Sequence, residues 1–94
     1  MSTLSDAEID ARLASAGDWH RGEEQTIVRE LKFDDFAGAV AFVNRVAALA
    51  EEANHHPDIL IHGWNKVRLT LSTHSAGGLT DADFGLAGRI ERLL

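Results

Sequence analysis

The sequence contains no cysteine. That excludes a disulfide framework, a thiolate nucleophile and a Cys-ligated zinc site, and it removes the usual staples of a small secreted domain. No apolar run approaches the ~20 residues that a membrane-spanning helix needs. No Lys/Arg cluster stands out either: nine basic residues face 15 acidic ones, for a net charge of −6 and a pI near 5.2. An acidic balance of this size argues against direct binding to nucleic acid or to an anionic membrane surface. Met1 to Arg12 is polar and acidic and has no basic start followed by an apolar stretch, so no secretory signal is expected and the cytoplasm is the expected location. Repeats, low-complexity tracts and linkers are also missing. The expectation is a single domain over residues 1–94.

What is present is an ordinary globular composition, 45% hydrophobic and 26% charged, which sets the chain apart from disordered sequences. A chain of 94 residues buries only about 60–65% of the surface its unfolded form exposes. Oligomerisation is therefore a natural source of added stability.

The pattern along the chain mixes helix and strand. Ser5 and Glu8 have capping-box spacing, predicting a helix to about Leu13. Ala16-Gly17-Asp18 breaks it, Trp19 begins an extended piece, and Gly22-Glu23-Glu24 reads as a turn. Gln25 to Phe33 reads as a strand with Ile27, Leu31 and Phe33 on one face and Arg29 spoiling the alternation. Asp34 or Asp35 caps the longest helix, which runs to about Ala53. Its stripe is Phe36, Val40, Val43, Ala47 and Ala50, with a second apolar set at Phe42, Val46 and Leu49; two apolar faces predict burial on two sides. Pro57 is expected to stop this helix, with His56 already extended.

Ile59 and Ile61 alternate with Leu60 and His62 in a short strand, and Gly63 turns the chain. Val67, Leu69, Leu71 and Thr73 then alternate with Lys66, Arg68, Thr70, Ser72 and His74. The two strands form a hairpin. Thr80 caps a last helix with Asp83 at the capping-box position and a stripe of Phe84, Ala87, Ile90 and Leu94. The element order predicts the α+β class: a four-stranded antiparallel sheet with three helices packed on one face.

Five histidines are unevenly spread: His20 near the start, and His55, His56, His62 and His74 within 20 residues of one another. Imidazole titrates near neutral pH, so grouped histidines can both donate and accept protons. His55-His56-Pro57 falls where the long helix ends, and a helix C-terminus favours protonated imidazole. Glu51, one turn before His55, is placed to hydrogen-bond its ring. A hairpin turning at Gly63 returns His74, at the end of its second strand, toward Asp58 and the His-His pair. Blander readings stand beside this one. His-His-Pro can be a helix stop alone, Trp64 and Trp19 can be packing residues, and Asp83 can be only a cap. A histidine cluster can also hold zinc, although no His-x-x-x-His spacing of a hydrolytic zinc site occurs.

At these residues the sequence resembles the pterin-4a-carbinolamine dehydratases. The pattern of that family is a charged residue, His-His-Pro, an aromatic, a further histidine and an aspartate. It reads here as Glu51, His55-His56-Pro57, Trp64, His74 and Asp83. Asn65-Lys66-Val67, Leu71-Ser72-Thr73-His74 and Gly78-Leu79-Thr80 extend the likeness, as do Phe33, Asp35, Phe36 and Arg45-Val46 upstream. Asp18 before Trp19 departs from the Gly-Trp common in the family. The resemblance spans roughly Trp19 to the C-terminus.

It implies dehydration of 4a-hydroxytetrahydropterin to quinonoid dihydropterin, in support of aromatic amino-acid hydroxylases. It implies homodimers or homotetramers. Pterin is then the substrate, with no cofactor and no metal. His55, His56 and His74 are the implied catalytic set: His55 and His74 as acid and base in an unassigned order, His56 orienting the pterin. Asp83, Glu51, Trp64 and Trp19 are the implied supporting residues. A non-catalytic assembly partner on the same fold, such as a dimerisation partner of a transcription factor, is the alternative.

Overall fold

The computed structural model describes residues 2–94. Helix α1 (Asp6–Leu13) is followed by strands β1 (His20–Arg21) and β2 (Ile27–Lys32), helix α2 (Phe36–Ala53), strands β3 (Asp58–His62) and β4 (Lys66–Leu71), and helix α3 (Asp81–Glu91). A short 3₁₀ turn, His74–Ala76, lies between β4 and α3. The strands form one antiparallel sheet in the order β1-β2-β4-β3. Strand β4 is thus inserted between β2 and β3, and α2 carries the chain across it.

Register follows the apolar pattern. Ile27 pairs with Leu71, and Leu31 and Ile61 both pair with Val67. Val67, Leu69 and Leu71 are fully buried against the helices, while Lys66 and Arg68 stay exposed on the opposite face. A one-residue slip would turn that apolar set into water, so burial itself enforces the register. The helices close the other side of the core with Ile9 from α1, Ala39, Phe42 and Val46 from α2, and Leu86, Ala87 and Ile90 from α3. Arg29, which breaks the alternation of β2, reaches the helix layer and holds Glu91 of α3 at 2.6 Å.

Several expectations are corrected. The buried stripe of α2 is Ala39, Phe42, Val46 and Ala50, whereas Phe36 is 54% exposed. Phe42 sits with its ring centroid 5.1 Å from that of Phe33, just past β2, and this packing turns the second apolar set inward. Both sets are apolar, so composition alone could not choose between them. Within the single chain α2 buries one side only; Ala41, Ala47 and Ala48 are exposed. In α3, Leu86 replaces Leu94, which is 54% exposed beyond the helix end. Strand β2 starts at Ile27 because Glu24 and Gln25 have positive φ and belong to the preceding turn.

Helix α2 begins where Asp35 accepts the Gly38 N–H at 2.7 Å. It ends at Ala53, as expected, and is closed at Asn54, three residues before Pro57. Asn54 is left-handed (φ 49, ψ 42). Its N–H bonds the Glu51 carbonyl, and the His55 N–H bonds the Ala50 carbonyl at 3.1 Å. These two bonds make a Schellman closure. Asn54 suits the position because its short polar side chain tolerates the left-handed region.

Candidate active site

The Schellman closure fixes the direction in which the chain leaves α2, and so aims the first histidine. His55 turns toward the N-terminus of α3, where its Nε2 lies 2.6 Å from Asp83 Oδ1. Its side chain is 14% exposed; that of Asp83 is fully buried. A buried carboxylate is costly unless its lone pairs are used. Here they are. Asp83 Oδ2 accepts the Thr80 backbone N–H at 2.9 Å and the Thr73 hydroxyl at 2.8 Å. The first bond is half of a capping box, completed by the Thr80 side chain over the first turn of α3. Asp83 therefore caps the helix with one oxygen and holds His55 with the other.

His56 points elsewhere, as adjacent residues in extended chain do. Its Nε2 lies 2.5 Å from Glu51 Oε2. Glu51 thus partners His56 and not His55, because the left-handed residue at Asn54 rotates His55 off the helix face that Glu51 shares. This pair is open to solvent, with side chains 58% and 75% exposed.

His74 lies beyond the end of β4, in the 3₁₀ turn, and is exposed. Alternation alone predicts it at the end of the strand. The ladder stops at Leu71, and an isolated bridge between Thr73 and Gly78 folds the chain back on itself. His74 directly follows Thr73, so the hydrogen bond from Thr73 to Asp83 ties its turn to the His55 network. Hairpin and helix cap together bring the segments of His55, His56, His74, Asp83 and Glu51 to one end of the molecule.

The two tryptophans lie apart from this group. Trp64 is 62% exposed at the β3–β4 turn. The length of β3, roughly 13 Å at about 3.3 Å per residue, separates that turn from the strand start beside His56. Trp19 is 3% exposed within the core cluster, and its buried Nε1 has no hydrogen-bond partner. His20 and His62 line shallow hollows on the uncovered face of the sheet. Among the described residues no group of three or more His, Asp or Glu side chains converges as a metal site.

Sequence reasoning passed over Thr73 and Thr80 as site residues. Thr73 carried a signal nonetheless: it is the one polar member of the buried stripe Val67, Leu69, Leu71, Thr73. A hydroxyl at the end of such a stripe needs a buried partner.

A histidine held by a buried carboxylate, with two more histidines at the same end of an α+β domain, is an arrangement able to exchange protons. The family described as pterin 4 alpha carbinolamine dehydratase matches residues 2–93. A Chloroflexus aggregans protein bearing that dehydratase name is 50% identical over 94 residues, covering 100% of this chain and 99% of its own. An Acidobacterium capsulatum protein named likewise is 51% identical over the full length of both.

Among solved structures, a Brucella melitensis transcriptional coactivator/pterin dehydratase superposes with a TM-score of 0.92 at 31% identity, over 98% of each chain. A pterin dehydratase-like protein described as a RuBisCO assembly factor of the alpha-carboxysome superposes with a TM-score of 0.67 at 30% identity. That match covers 80% of this chain and 87% of the other. The chain belongs to the pterin 4 alpha carbinolamine dehydratase family and is an enzyme of that class, a hydro-lyase.

Proposed function

We propose that this protein dehydrates 4a-hydroxytetrahydropterin to quinonoid dihydropterin and water, renewing the pterin cofactor of aromatic amino-acid hydroxylases. The observation that carries the reading is the hydrogen bond between His55 and the buried Asp83.

The reaction needs two proton transfers. The C4a–O bond breaks as the hydroxyl takes a proton and leaves as water. A ring N–H gives up its proton, and its electrons form the new C=N bond. No oxidant or reductant is consumed, so two imidazoles of opposite protonation state suffice. Each assisted transfer is worth roughly 10²–10⁴-fold. His55 and His74 are the acid–base pair, and His56, held by Glu51, orients the pterin. Asp83 keeps the His55 ring in place. The chemistry requires no metal or other cofactor. Assembly as a homodimer or homotetramer is supported by the exposed alanine-rich side of α2.

The test is a stopped-flow ultraviolet assay of the carbinolamine, generated in place by a hydroxylase. Faster decay to the quinonoid product, abolished in His55→Ala and His74→Ala, supports the proposal. A rate equal to the spontaneous one with folded wild-type protein overturns it.

A second reading rests on the structural neighbours, one named as a coactivator and one as an assembly factor. On that reading the fold serves a protein partner. A pure scaffold, however, would need Asp83 only for the helix cap at Oδ2 and has no use for the bond that Oδ1 accepts from His55.

A further inference from the structure

We infer that the hairpin end of the uncovered sheet face binds a phosphate ester of a planar heterocycle, with Lys32 and Lys66 on the phosphate and Trp64 against the ring. This site is separate from the group of His55, His56 and His74, and it does not depend on the dehydratase reading.

The first observation is a row of unpaired cationic groups. Lys32 pairs with Lys66 across β2 and β4, and His62 pairs with Lys66 from β3, so the three form one row on the face that the helices leave open. Side chains paired in this way have β-carbons about 4.5–5.5 Å apart, and like charges there repel. Among the described residues no ion pair involves any of the three. Glu30, two residues before Lys32 on the same face, is already held by Arg68 at 2.9 and 3.0 Å. A phosphate relieves such a row, because its oxygens accept from more than one ammonium at once.

The second observation is the turn beside the row. Gly63 and Trp64 both have left-handed φ, 54 and 58. A two-residue turn of this kind favours Asn-Gly or Gly-Gly. Here its second position carries a tryptophan whose indole is not buried in return, since the residue is 62% exposed. A strained residue that gains no burial points to a use for its side chain. An exposed indole is a stacking platform for a planar ring.

The two features meet. Lys66 folds back over the turn, with its Nζ 3.6 Å from the point where a β-carbon on Gly63 would stand. Lys32, Lys66 and Trp64 line one open hollow of about 490 Å³. That is within the range of about 300–1,000 Å³ usual for small-molecule sites. Asp34 is the remaining charged residue of the hollow. A carboxylate only accepts hydrogen bonds, so it suits the N–H edge of a ring such as guanine or pterin and leaves the phosphate to the lysines.

The experiment titrates wild-type protein with guanosine 5′-monophosphate, a pterin monophosphate, guanosine and inorganic phosphate, following amide and indole ¹⁵N–¹H shifts. At least one ester should bind, with shifts centred on His62 to Lys66 and on the Trp64 indole; the tighter ester names the source of the ligand. Guanosine and inorganic phosphate should each bind at least about 10-fold more weakly than that ester. Lys32→Gln and Lys66→Gln should each lower ester affinity by about 10- to 100-fold. Trp64→Asn should lower it by about 5- to 100-fold. These substitutions remove charge repulsion or backbone strain, so the variants should stay folded, and their unliganded spectra check this. No saturable shift with either ester up to about 1 mM overturns the inference. So does ester binding centred on His55 and His74, or affinity unchanged in both lysine variants. Guanosine or inorganic phosphate binding as tightly as the esters overturns it as well, because each lacks half of the proposed ligand. None of these readouts uses catalysis, so an inactive enzyme would overturn the dehydratase reading alone.

Discussion

Asp83 Oδ1 lies 2.6 Å from His55 Nε2, joining the first turn of α3 to the residue that closes α2. The two are 28 positions apart in the chain, and the link depends on both helix ends being correctly terminated. The same carboxylate caps α3 through Oδ2, so one buried side chain couples local helix stability to the geometry of the site.

Asp83→Asn preserves shape but replaces one acceptor oxygen with a donor. The amide can no longer accept both from His55 and from the Thr73–Thr80 side. The rate should fall by roughly 10²–10⁴-fold. Stability should fall by about 1–3 kcal/mol, the cost of a buried polar group left without its partner. Stopped-flow assay and urea denaturation check the two parts. A variant with full activity would show that the carboxylate serves only the helix cap.

Trp64 has φ +58, a conformation that costs a bulky residue about 1–2 kcal/mol, and its side chain is mostly in water. Trp64→Asn should therefore raise stability by about 1 kcal/mol, since asparagine tolerates this region. The dehydration rate should stay unchanged, because the turn stands at the far end of β3 from His55. A loss of stability in urea denaturation would show that the exposed indole packs against something worth more than the strain.

Lys32 and Lys66 are the only lysines in the chain, and they face each other across β2 and β4. His62 pairs with Lys66 from the other side. Like charges directly opposite on a sheet are destabilising. Lys66→Glu places a carboxylate between Lys32 and His62 and should add about 0.2–1 kcal/mol. The gain should shrink as salt rises. A salt-independent change would mean that charge is not its cause.

The carboxyl of Glu8 is held below the usual carboxylate range by the Ser5 backbone N–H first, and then by the Ser5 side chain. A group whose folded pKa is depressed contributes stability above its unfolded pKa and loses it as pH falls through the folded value. Helix α1 should therefore fray selectively on acidification below about pH 4.5, the ordinary glutamate value. Amide exchange resolved along α1 should show this, and Glu8→Gln should remove the pH dependence. Equal fraying in both proteins would place its cause elsewhere.

The fold was legible in the sequence wherever one local signal acted alone. Capping boxes at Ser5/Glu8 and Thr80/Asp83 marked α1 and α3, and strict alternation from Val67 marked β4. Helix α2 was found with its two apolar sets, of which the single chain buries Phe42 and Val46 from one and Ala50 from the other. Its two apolar sets are equally good by pattern, and only the contact between Phe42 and Phe33 separates them.

The sequence by itself determined the element order and the hairpin, because these follow from periodicity and turn residues, and its family resemblance nominated His55, His56 and His74. Only the tertiary structure decided the partners. It gave Glu51 to His56, Asp83 to His55 and Thr73 to Asp83, and it set Trp19 and Trp64 apart from the group of His55, His56 and His74. The physical reason is that a left-handed residue at Asn54 and the end of the β4 ladder at Leu71 set the directions of the side chains that follow. Spacing along a chain records how far apart two residues are, while a hydrogen bond depends on where their side chains point.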